Sequence, residues 1–406
     1  MGAADQLSAR GPAPAHSGWL VANLVTQLAF GLLAMTACLP SMQEWPAQFD
    51  ASQAAVQLTF SAFVATYGGM QLVYGALSDR VGRKPALVAG LLLAFAGSVA
   101  AALSRDLTML VLSRALQGAG CAAGMVIARA MVQDLFTGPE RTRVMALIGM
   151  SMGVCPPLAA VVGGQLHVRL GWQANFALVA VLSLLLLAAA WFGLPGPAPA
   201  DGAPKARGPS PLAGYLRLAR EPSFWLYVGL LATLTATFYS FLAGLPLVLA
   251  GYGVTPERLG WAIGCVPVAY IAGNYLTTRL ARTQPERRIM NWGQALTIGA
   301  LVLALALGLA GLRSPLAVVL PLLLLGIGHG LLVPPTLAGT VGVVPALAGS
   351  AAAVGGLAQQ LVGAFGAFLV GLVPHQGHVN LVGLMLGWTL LGFACQLALR
   401  RLARLR

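Results

Sequence analysis

Long apolar segments, with few charges between them, limit most strongly what this chain can fold into. From residue 314 to residue 399 there is no Asp, Glu, Lys or Arg at all. Over the whole chain only 9% of residues are charged, against about 25% in an average soluble domain. A water-facing surface cannot be built from so few charges. The chain is therefore predicted to be a polytopic membrane protein.

The lengths of these apolar segments suit a lipid bilayer. A transmembrane helix needs about 20 predominantly apolar residues. Twelve such segments can be placed, near residues 18–41, 52–74, 86–104, 107–134, 143–167, 172–194, 223–250, 258–281, 289–311, 315–338, 347–373 and 379–400. The sequence thus predicts an all-α membrane protein with twelve transmembrane helices in two six-helix halves.

One stretch, residues 195–222, differs from the rest because it is rich in Pro, Gly and Ala with scattered charges, as linkers are. A Leu-Pro pair recurs on both sides of it, at Leu39-Pro40 and Leu245-Pro246. The predicted organisation is an N-terminal tail over 1–17, a first six-helix half over 18–194, a cytoplasmic central loop over 195–222, a second six-helix half over 223–400 and a basic C-terminal tail over 401–406.

The positions of Lys and Arg predict the orientation, because these residues are enriched in cytoplasmic loops. With both termini in the cytoplasm, eighteen of the 24 Lys and Arg residues lie on the cytoplasmic side and four on the other side. The remaining two, Arg114 and Arg129, lie inside a span. We therefore expect a multi-pass protein of the cell inner membrane with both termini cytoplasmic.

Several function classes are disfavoured by composition and motifs. The net charge of +13 is scattered between apolar segments instead of forming one basic face, which argues against nucleic-acid binding. The five cysteines include no CxxC pair, so neither a disulfide nor a metal site is predicted. No acid–base or nucleophile set for an enzyme and no ATP-binding GxxxxGK[ST] motif is visible. We expect a monomer in contact with lipid, with no cofactor and no nucleic-acid partner.

Three sequence motifs carry a family resemblance. The chain reads GALSDRVGRKPAL over 75–87, RALQGAG from Arg114 onward, and ARAMVQDLF over 128–136. These segments resemble the major facilitator superfamily and, within it, the bicyclomycin-resistance and chloramphenicol-efflux (Bcr/CflA) branch of drug:proton antiporters. The resemblance implies a small-molecule efflux transporter that works by alternating access and uses the proton gradient.

The loop between spans two and three is predicted to act as a latch. Its glycines permit tight turns, and Asp79 would lie at the N-terminus of span eleven, whose partial positive charge stabilises an aspartate. The family pattern implies that Arg83 reaches Asp134. The alternative is a plain basic cytoplasmic loop. The residues of this predicted latch are Gly75, Asp79, Arg80, Gly82, Arg83 and Asp134.

Arg114 is the residue whose position most strongly indicates a functional role, because it lies inside span four, about six residues, or roughly 9 Å, from the midpoint of that span. A charge in a bilayer is costly and usually faces a cavity or a partner, and Gln117 shares its helix face. The alternative is an arginine that extends to the outer interface. The family has an acid at the same depth in span one, where this chain has Thr36. Transport without proton coupling is therefore an alternative to antiport. If the protein is an antiporter, Asp134 or His329 would carry the proton.

Other polar residues inside the spans are candidates for the lining of a substrate cavity. His329, in the middle of span ten, either titrates there or packs as a satisfied side chain. A neutral, polar and aromatic cavity favours amphipathic compounds that are uncharged or anionic. The further candidates are Asn23, Gln27, Gln57, Tyr67, Tyr239, Tyr270, Asn274 and Gln360.

Span five carries an incomplete antiporter motif. Its small residues would let this span approach a neighbouring helix closely, and generic helix packing is the alternative explanation. The residues of the motif are Gly149, Gly153, Pro156 and Gly163.

Overall fold

The computed structural model describes residues 18–136, 138–195, 217–344 and 347–405. Within those ranges the chain forms twelve long helices and no strand, and nine segments are long and apolar enough to cross a membrane. The predicted twelve-helix architecture is confirmed. The helices are α1 (Gly18–Thr36), α2 (Gln53–Val81), α3 (Arg83–Ala102), α4 (Leu107–Leu135), α5 (Gly138–Leu170), α6 (Gln173–Gly193), α7 (Pro222–Gly251), α8 (Pro256–Leu280), α9 (Glu286–Leu309), α10 (Pro315–Gly342), α11 (Ala348–Val370) and α12 (Val379–Leu405).

Several helices extend beyond the apolar segments that predicted them, because a helix keeps its backbone hydrogen bonds after its side chains become polar. α2 continues to Val81, past the predicted end at residue 74. It ends at Gly82, whose φ of 97° lies in the left-handed region that glycine tolerates. Gly75 therefore lies inside α2, which corrects the tight turn expected at that position.

α1 is shorter than predicted, since it ends at Thr36 and a 3-10 helix follows over Leu39–Gln43. Pro40 has no backbone N–H to give, so it fits the first turn of this new helix. Trp45, just beyond, is fully buried and lies edge-on to Trp172, with 5.7 Å between the ring centroids. We call this end of the bundle the capped end, and the end that carries the α2–α3 loop the basic end.

The helices pack in the same pattern in both halves. α4 packs along α2 and α3, and α10, six helices later, packs along α8 and α9. The halves meet mainly along two helix pairs, α2 with α11 and α5 with α8. Such equivalent contacts are what a repeated six-helix unit produces. The predicted tail over 1–17 and most of the predicted central loop, residues 196–216, lie outside the described residues.

The two halves touch near the capped end. Along α2, the Ser61 hydroxyl donates to the carbonyl oxygen of Ala364 at 3.0 Å, and Gly68 packs directly on the side chain of Gln360. Gly75 lies two turns further on the same face of α2, and among the described residues no atom outside its own helix lies within 4 Å of the place where its Cβ would be. The described contacts between α2 and α11 therefore lie on the side of Gly75 that is nearer the capped end.

Candidate functional site

Arg114 is fully buried inside the first half. Its Nη1 donates to the carbonyl oxygen of Ala34 at 2.9 Å and to the side-chain oxygen of Gln117, and its guanidinium carbon lies 4.2 Å from the centre of the Phe63 ring. Gln117 in turn donates to the hydroxyl of Ser98 on α3 at 2.8 Å. The side chain thus connects α1, α2, α3 and α4. It lies in the packed interior, which corrects both the expected cavity position and the alternative of an extended interfacial arginine.

Carbonyl groups at the end of α1 stand where the family pattern has a carboxylate. Besides the bond to Ala34, the Nη2 of Arg114 lies 3.5 Å from the carbonyl oxygen of Met35. The last carbonyls of a helix have no partner in that helix, and together they carry about half a negative charge. Thr36 is buried in the same turn, as the predicted depth requires, but its hydroxyl donates to the carbonyl of Leu32 at 2.8 Å. The end of α1 therefore supplies the negative partner of the arginine.

The predicted latch contains a bonded cluster at the basic end. Arg83, the first residue of α3, donates from Nε to Asp134 Oδ2 at 3.0 Å and from Nη1 to the hydroxyl of Ser78 at 2.7 Å. This one side chain joins α2, α3 and α4, and the contact with Asp134 agrees with the family pattern. Arg80 is exposed. The side chain of Asp79 lies outside the described residues, so its contact with α11 stays a prediction.

Three of the proposed cavity residues connect the halves to each other. The ring of Tyr239 on α7 lies edge-on to Phe60 of α2, and Gln360 on α11 packs on Gly68 of α2. Within the second half, the hydroxyl of Tyr239 donates to the side-chain oxygen of Gln360 at 2.9 Å. Gln57 on α2 donates to the carbonyl oxygen of Ala243 on α7 at 3.1 Å. These side chains are buried, Tyr239 and Gln360 being 7% and 8% exposed. They close the space between the halves near the capped end, and they must separate for a ligand to leave there.

Asn23 and Gln27 do not line the space between the halves. The amide nitrogen of Asn23 donates to the carbonyl oxygen of Ala189 at 2.7 Å, and that of Gln27 donates to the carbonyl oxygen of Leu186 at 2.9 Å. Both bonds hold α1 against α6 inside the first half. This corrects the expected cavity position, because a spacing of one turn places two side chains on one face without saying which helix that face meets.

Tyr67 is buried in the electrostatic field of an arginine that sequence reasoning had not singled out as functional. Its ring lies against Gly31 of α1 and stacks on Phe63, with 5.9 Å between the ring centroids. That arginine is Arg129 of α4, and no hydrogen bond joins the two side chains among the described residues. Arg129 is exposed and donates from Nη2 to the sulfur of Met152 on α5 at 3.3 Å. The sequence could have indicated Arg129, because it is a charged residue inside a predicted span.

His329 packs within the second half. It is 3% exposed, and its Nε2 has no hydrogen-bond partner among the described residues. Gly326 and Gly330, on either side of it in α10, pack directly on the backbone of α8. On that helix Tyr270 and Asn274 lie one turn apart and are half-buried. This burial agrees with the alternative in which His329 is a packed side chain and does not titrate.

α5 approaches both α1 and α8 closely. A side chain at Gly163 would collide with the carbonyl oxygen of Ala37, just beyond α1. Pro157, next to the motif residue Pro156, lies on Gly264 of α8, where an added Cβ would be 3.1 Å from the proline Cβ. A small residue of α5 thus permits a close contact inside the first half, and a small residue of α8 permits one between the halves. The motif residues whose surroundings lie outside the described part of the chain are Gly149 and Gly153.

Comparison with protein families and relatives gives concordant results. A family model described as Major Facilitator Superfamily matches residues 18–367. Multidrug resistance protein D of Escherichia coli (strain K12) is 28% identical over 397 residues, which cover 94% of this chain and 95% of that protein. A chloramphenicol resistance protein of Pseudomonas aeruginosa is 27% identical over 387 residues, which cover 93% of this chain and 90% of that protein.

Solved structures show a similar fold. A bacterial homolog of the human lysosomal transporter Spinster, in an inward-facing and unoccupied conformation, matches with a TM-score of 0.77 and 16% identity, over 96% of this chain and 98% of that one. A peptide transporter in complex with alafosfalin matches with a TM-score of 0.76 and 19% identity, over 98% of this chain and 97% of that one. At these identities the similarity concerns the fold alone.

Proposed function

Because the chain belongs to the major facilitator superfamily, and is thus a transporter and not an enzyme, we propose that it exports small molecules by alternating access. In this mechanism a site between two helical halves opens to one side of the membrane at a time. The observation that carries the proposal is the one-sided contact between the halves. On one face of α2, Gly68 packs on α11, whereas no described atom outside its own helix lies near the Cβ position of Gly75.

The basic end is the end that we assign to the cytoplasm. Eighteen of the 24 Lys and Arg residues lie on this side if both termini are cytoplasmic, and basic residues are retained on the cytoplasmic side of bacterial inner membranes. The described conformation then opens inward, ready to take a substrate from the cytoplasm. The protein would work as a monomer surrounded by lipid in the cell inner membrane.

For the substrate we propose an amphipathic drug or metabolite. The names of the two relatives describe multidrug and chloramphenicol resistance. The side chains that close the pathway between the halves offer hydroxyl and amide groups beside aromatic rings, as in Tyr239, Gln360 and Phe60. Mixed polar and aromatic contacts of this kind suit compounds with a ring system and a few hydrogen-bonding groups.

For the energy source, the first candidate is exchange for protons, as in the antiporters that the motifs resemble. Asp134 and His329 are the residues that we propose as proton carriers. Asp134 contacts Arg83 at the basic end, so a change in its protonation would alter the predicted latch directly.

The second candidate is export without proton coupling. A specific contact favours it, namely that the partner of Arg114 is the end of α1 and not a carboxylate. Backbone carbonyls do not titrate, so this pairing cannot be broken by a proton. The arginine would then be a structural centre of the first half in every conformation.

A flux assay separates these candidates. The purified protein in liposomes is tested with chloramphenicol and a panel of other antibiotics, with and without an imposed proton gradient, and protein-free liposomes serve as the control. We expect protein-dependent flux of at least one compound. Flux that stops when the gradient is collapsed supports antiport, and flux that ignores the gradient supports uncoupled export. Absence of flux for every compound, from protein shown to be folded, contradicts the export function.

A further inference from the structure

A small pocket lies at the basic end of the second half. It has a volume of about 180 Å³ and is found where α7 and α9 begin and α12 ends. On each of the three helices, two lining residues are four positions apart and therefore share one helix face. These residues are Ser223 and Tyr227 on α7, Arg287 and Asn291 on α9, and Gln396 and Arg400 on α12.

The pocket is on the outer side of the second half, at the level of the lipid headgroups. α9 packs on α10 and α12, and α12 packs also on α7, all of them helices of the second half. Leu303 of α9 and Leu391 of α12 are exposed apolar side chains, as lipid-facing residues are. Closer to the basic end, Trp225 of α7 and Trp292 of α9 are exposed, and tryptophan is enriched where the bilayer meets water. The pocket therefore faces the headgroups of the leaflet at the basic end.

Two arginines of different helices line the pocket, and no Asp or Glu is among the described residues that line it. The side-chain oxygen of Asn291 accepts hydrogen bonds from Arg400 Nη2 and from Gln396. This contact holds the guanidinium of Arg400 in place and leaves most of its donors for a ligand. Arg287 is exposed, and the ion pairs among the described residues do not include it. The pocket thus offers two cationic groups that a bound anion would neutralise.

The chain around the pocket is strongly basic as well. Residues 217–223, 282–291 and 400–406 contain nine Arg and two Glu. The two acids, Glu221 and Glu286, do not line the pocket. Lys and Arg next to the cytoplasmic leaflet attract anionic lipids, and basic pockets between membrane helices on that side bind acidic headgroups.

The size and polarity of the pocket limit what it can hold. Sites for drug-sized ligands begin at about 300 Å³, so this pocket fits a single small group. Guanidinium groups match the oxygens of a phosphate, to which each can give two parallel hydrogen bonds. Leu399 and Leu402 also line the pocket, and they suit the apolar chain that continues from a lipid headgroup. The ammonium of an ethanolamine headgroup would find no carboxylate in this lining.

We propose that Arg287 and Arg400 bind the phosphodiester group of an anionic phospholipid, such as phosphatidylglycerol, from the leaflet at the basic end. A soluble phosphate compound carries the same oxyanion, but the exposed tryptophans and the lining leucines favour a lipid. The site is separate from the pathway between the halves, so the proposal does not depend on the export function.

The test measures lipid binding to the delipidated protein in detergent. Short-chain phosphatidylglycerol and phosphatidylethanolamine of the same chain length are titrated separately, and the bound molecules are counted by native mass spectrometry. The double variant Arg287→Gln/Arg400→Gln is compared with the matched control Arg288→Gln/Arg401→Gln. The control removes the neighbouring exposed arginines, which do not line the pocket, and changes the net charge equally. Unfolding temperatures without lipid verify that each variant is folded.

We expect the wild type to bind phosphatidylglycerol at least about tenfold more tightly than phosphatidylethanolamine. Arg287→Gln/Arg400→Gln should lose at least about tenfold in affinity for phosphatidylglycerol, as the loss of hydrogen bonds between charged groups implies. The control should stay within twofold of the wild type. Arg287→Gln alone, which leaves the contact of Arg400 with Asn291 in place, should lose an intermediate amount and serves as the test if the double variant does not fold.

A competition with inorganic phosphate separates the two sources of the oxyanion. Phosphate in tenfold excess should leave most of the phosphatidylglycerol bound, and its complete displacement would point to a soluble ligand and overturn the proposal. An equal loss of affinity in the two double variants would also overturn it, because the basic end would then attract lipid without a defined site. The same holds if the wild type binds both lipids equally or binds neither.

Discussion

Replacing Arg114 with lysine keeps the charge but removes the planar group that four helices share. An ammonium group can still bond the carbonyl of Ala34, but it cannot also reach Gln117 while lying flat on Phe63. A buried acceptor that loses its donor costs about 1–3 kcal/mol, and the lost cation–π contact adds about 0.5–2 kcal/mol. We therefore expect a loss of roughly 2–4 kcal/mol in the described conformation, which corresponds to about 30- to 1,000-fold in a conformational equilibrium.

Two measurements on Arg114→Lys check this reasoning. The unfolding temperature of the detergent-purified protein should fall, and flux in liposomes should drop to a small fraction of wild type. Arg105→Lys is the control, because Arg105 is exposed just before the same helix and its replacement should change neither value. If Arg114→Lys unfolds and transports like wild type, the arginine is a simple point charge, and the argument from its hydrogen bonds is refuted.

Three further predictions concern the latch, the end of α1 and the capped end. Asp79→Asn and Arg83→Ala should each strongly reduce flux, and Arg83→Ala should change the unfolding temperature little, because a partly exposed ion pair such as that of Arg83 with Asp134 contributes only about 0–1 kcal/mol. Wild-type flux at matched expression would contradict the latch. Thr36→Asp should make flux respond to an imposed proton gradient, because it sets a carboxylate in the turn that contacts the buried arginine. A folded, active variant whose flux does not respond to the gradient would show that position 36 does not face Arg114. Burial lowers the pKa of His378, in the α11–α12 connection, and Tyr252 donates to its Nδ1, so the neutral ring is the favoured form in the folded state. Its stabilising effect is present above the ordinary pKa of 6.5 and is lost as the pH falls below it. The unfolding temperatures of wild type and His378→Ala should therefore converge from pH 7.5 to pH 5.5, and a constant difference would argue against this pairing.

The architecture could be predicted from the sequence because a membrane span must be one continuous apolar helix. The count of twelve followed from segment length alone. The bond between Arg114 and Gln117 was predictable as well, since residues three apart on a helix are neighbours. The contact of Arg83 with Asp134 required the family pattern, because its partners lie on different helices.

What the sequence could not indicate is which helix a polar face meets. Asn23 and Gln27 share a face of α1, but only the packing shows that this face meets α6. The negative partner of Arg114 was not visible either, because it is formed by backbone carbonyls that every sequence has. The contact between Glu44 and His167 at the capped end, at 3.1 Å, joins residues far apart in the chain and left no local pattern.

Arg129, a fixed positive charge inside a span and exposed in the described conformation, has an electrical consequence. A fixed positive charge near a low-dielectric interior lowers the energy of an anion there and raises that of a cation, so the space beside Arg129 would favour one sign of charge before any close contact forms. An anion that leaves the cell also moves down an inside-negative membrane potential, and each unit charge releases about 2.3 kcal/mol per 100 mV. For such a substrate the voltage across the membrane is itself a driving force. Export would then be electrogenic, and a current across a planar bilayer would accompany every molecule that leaves.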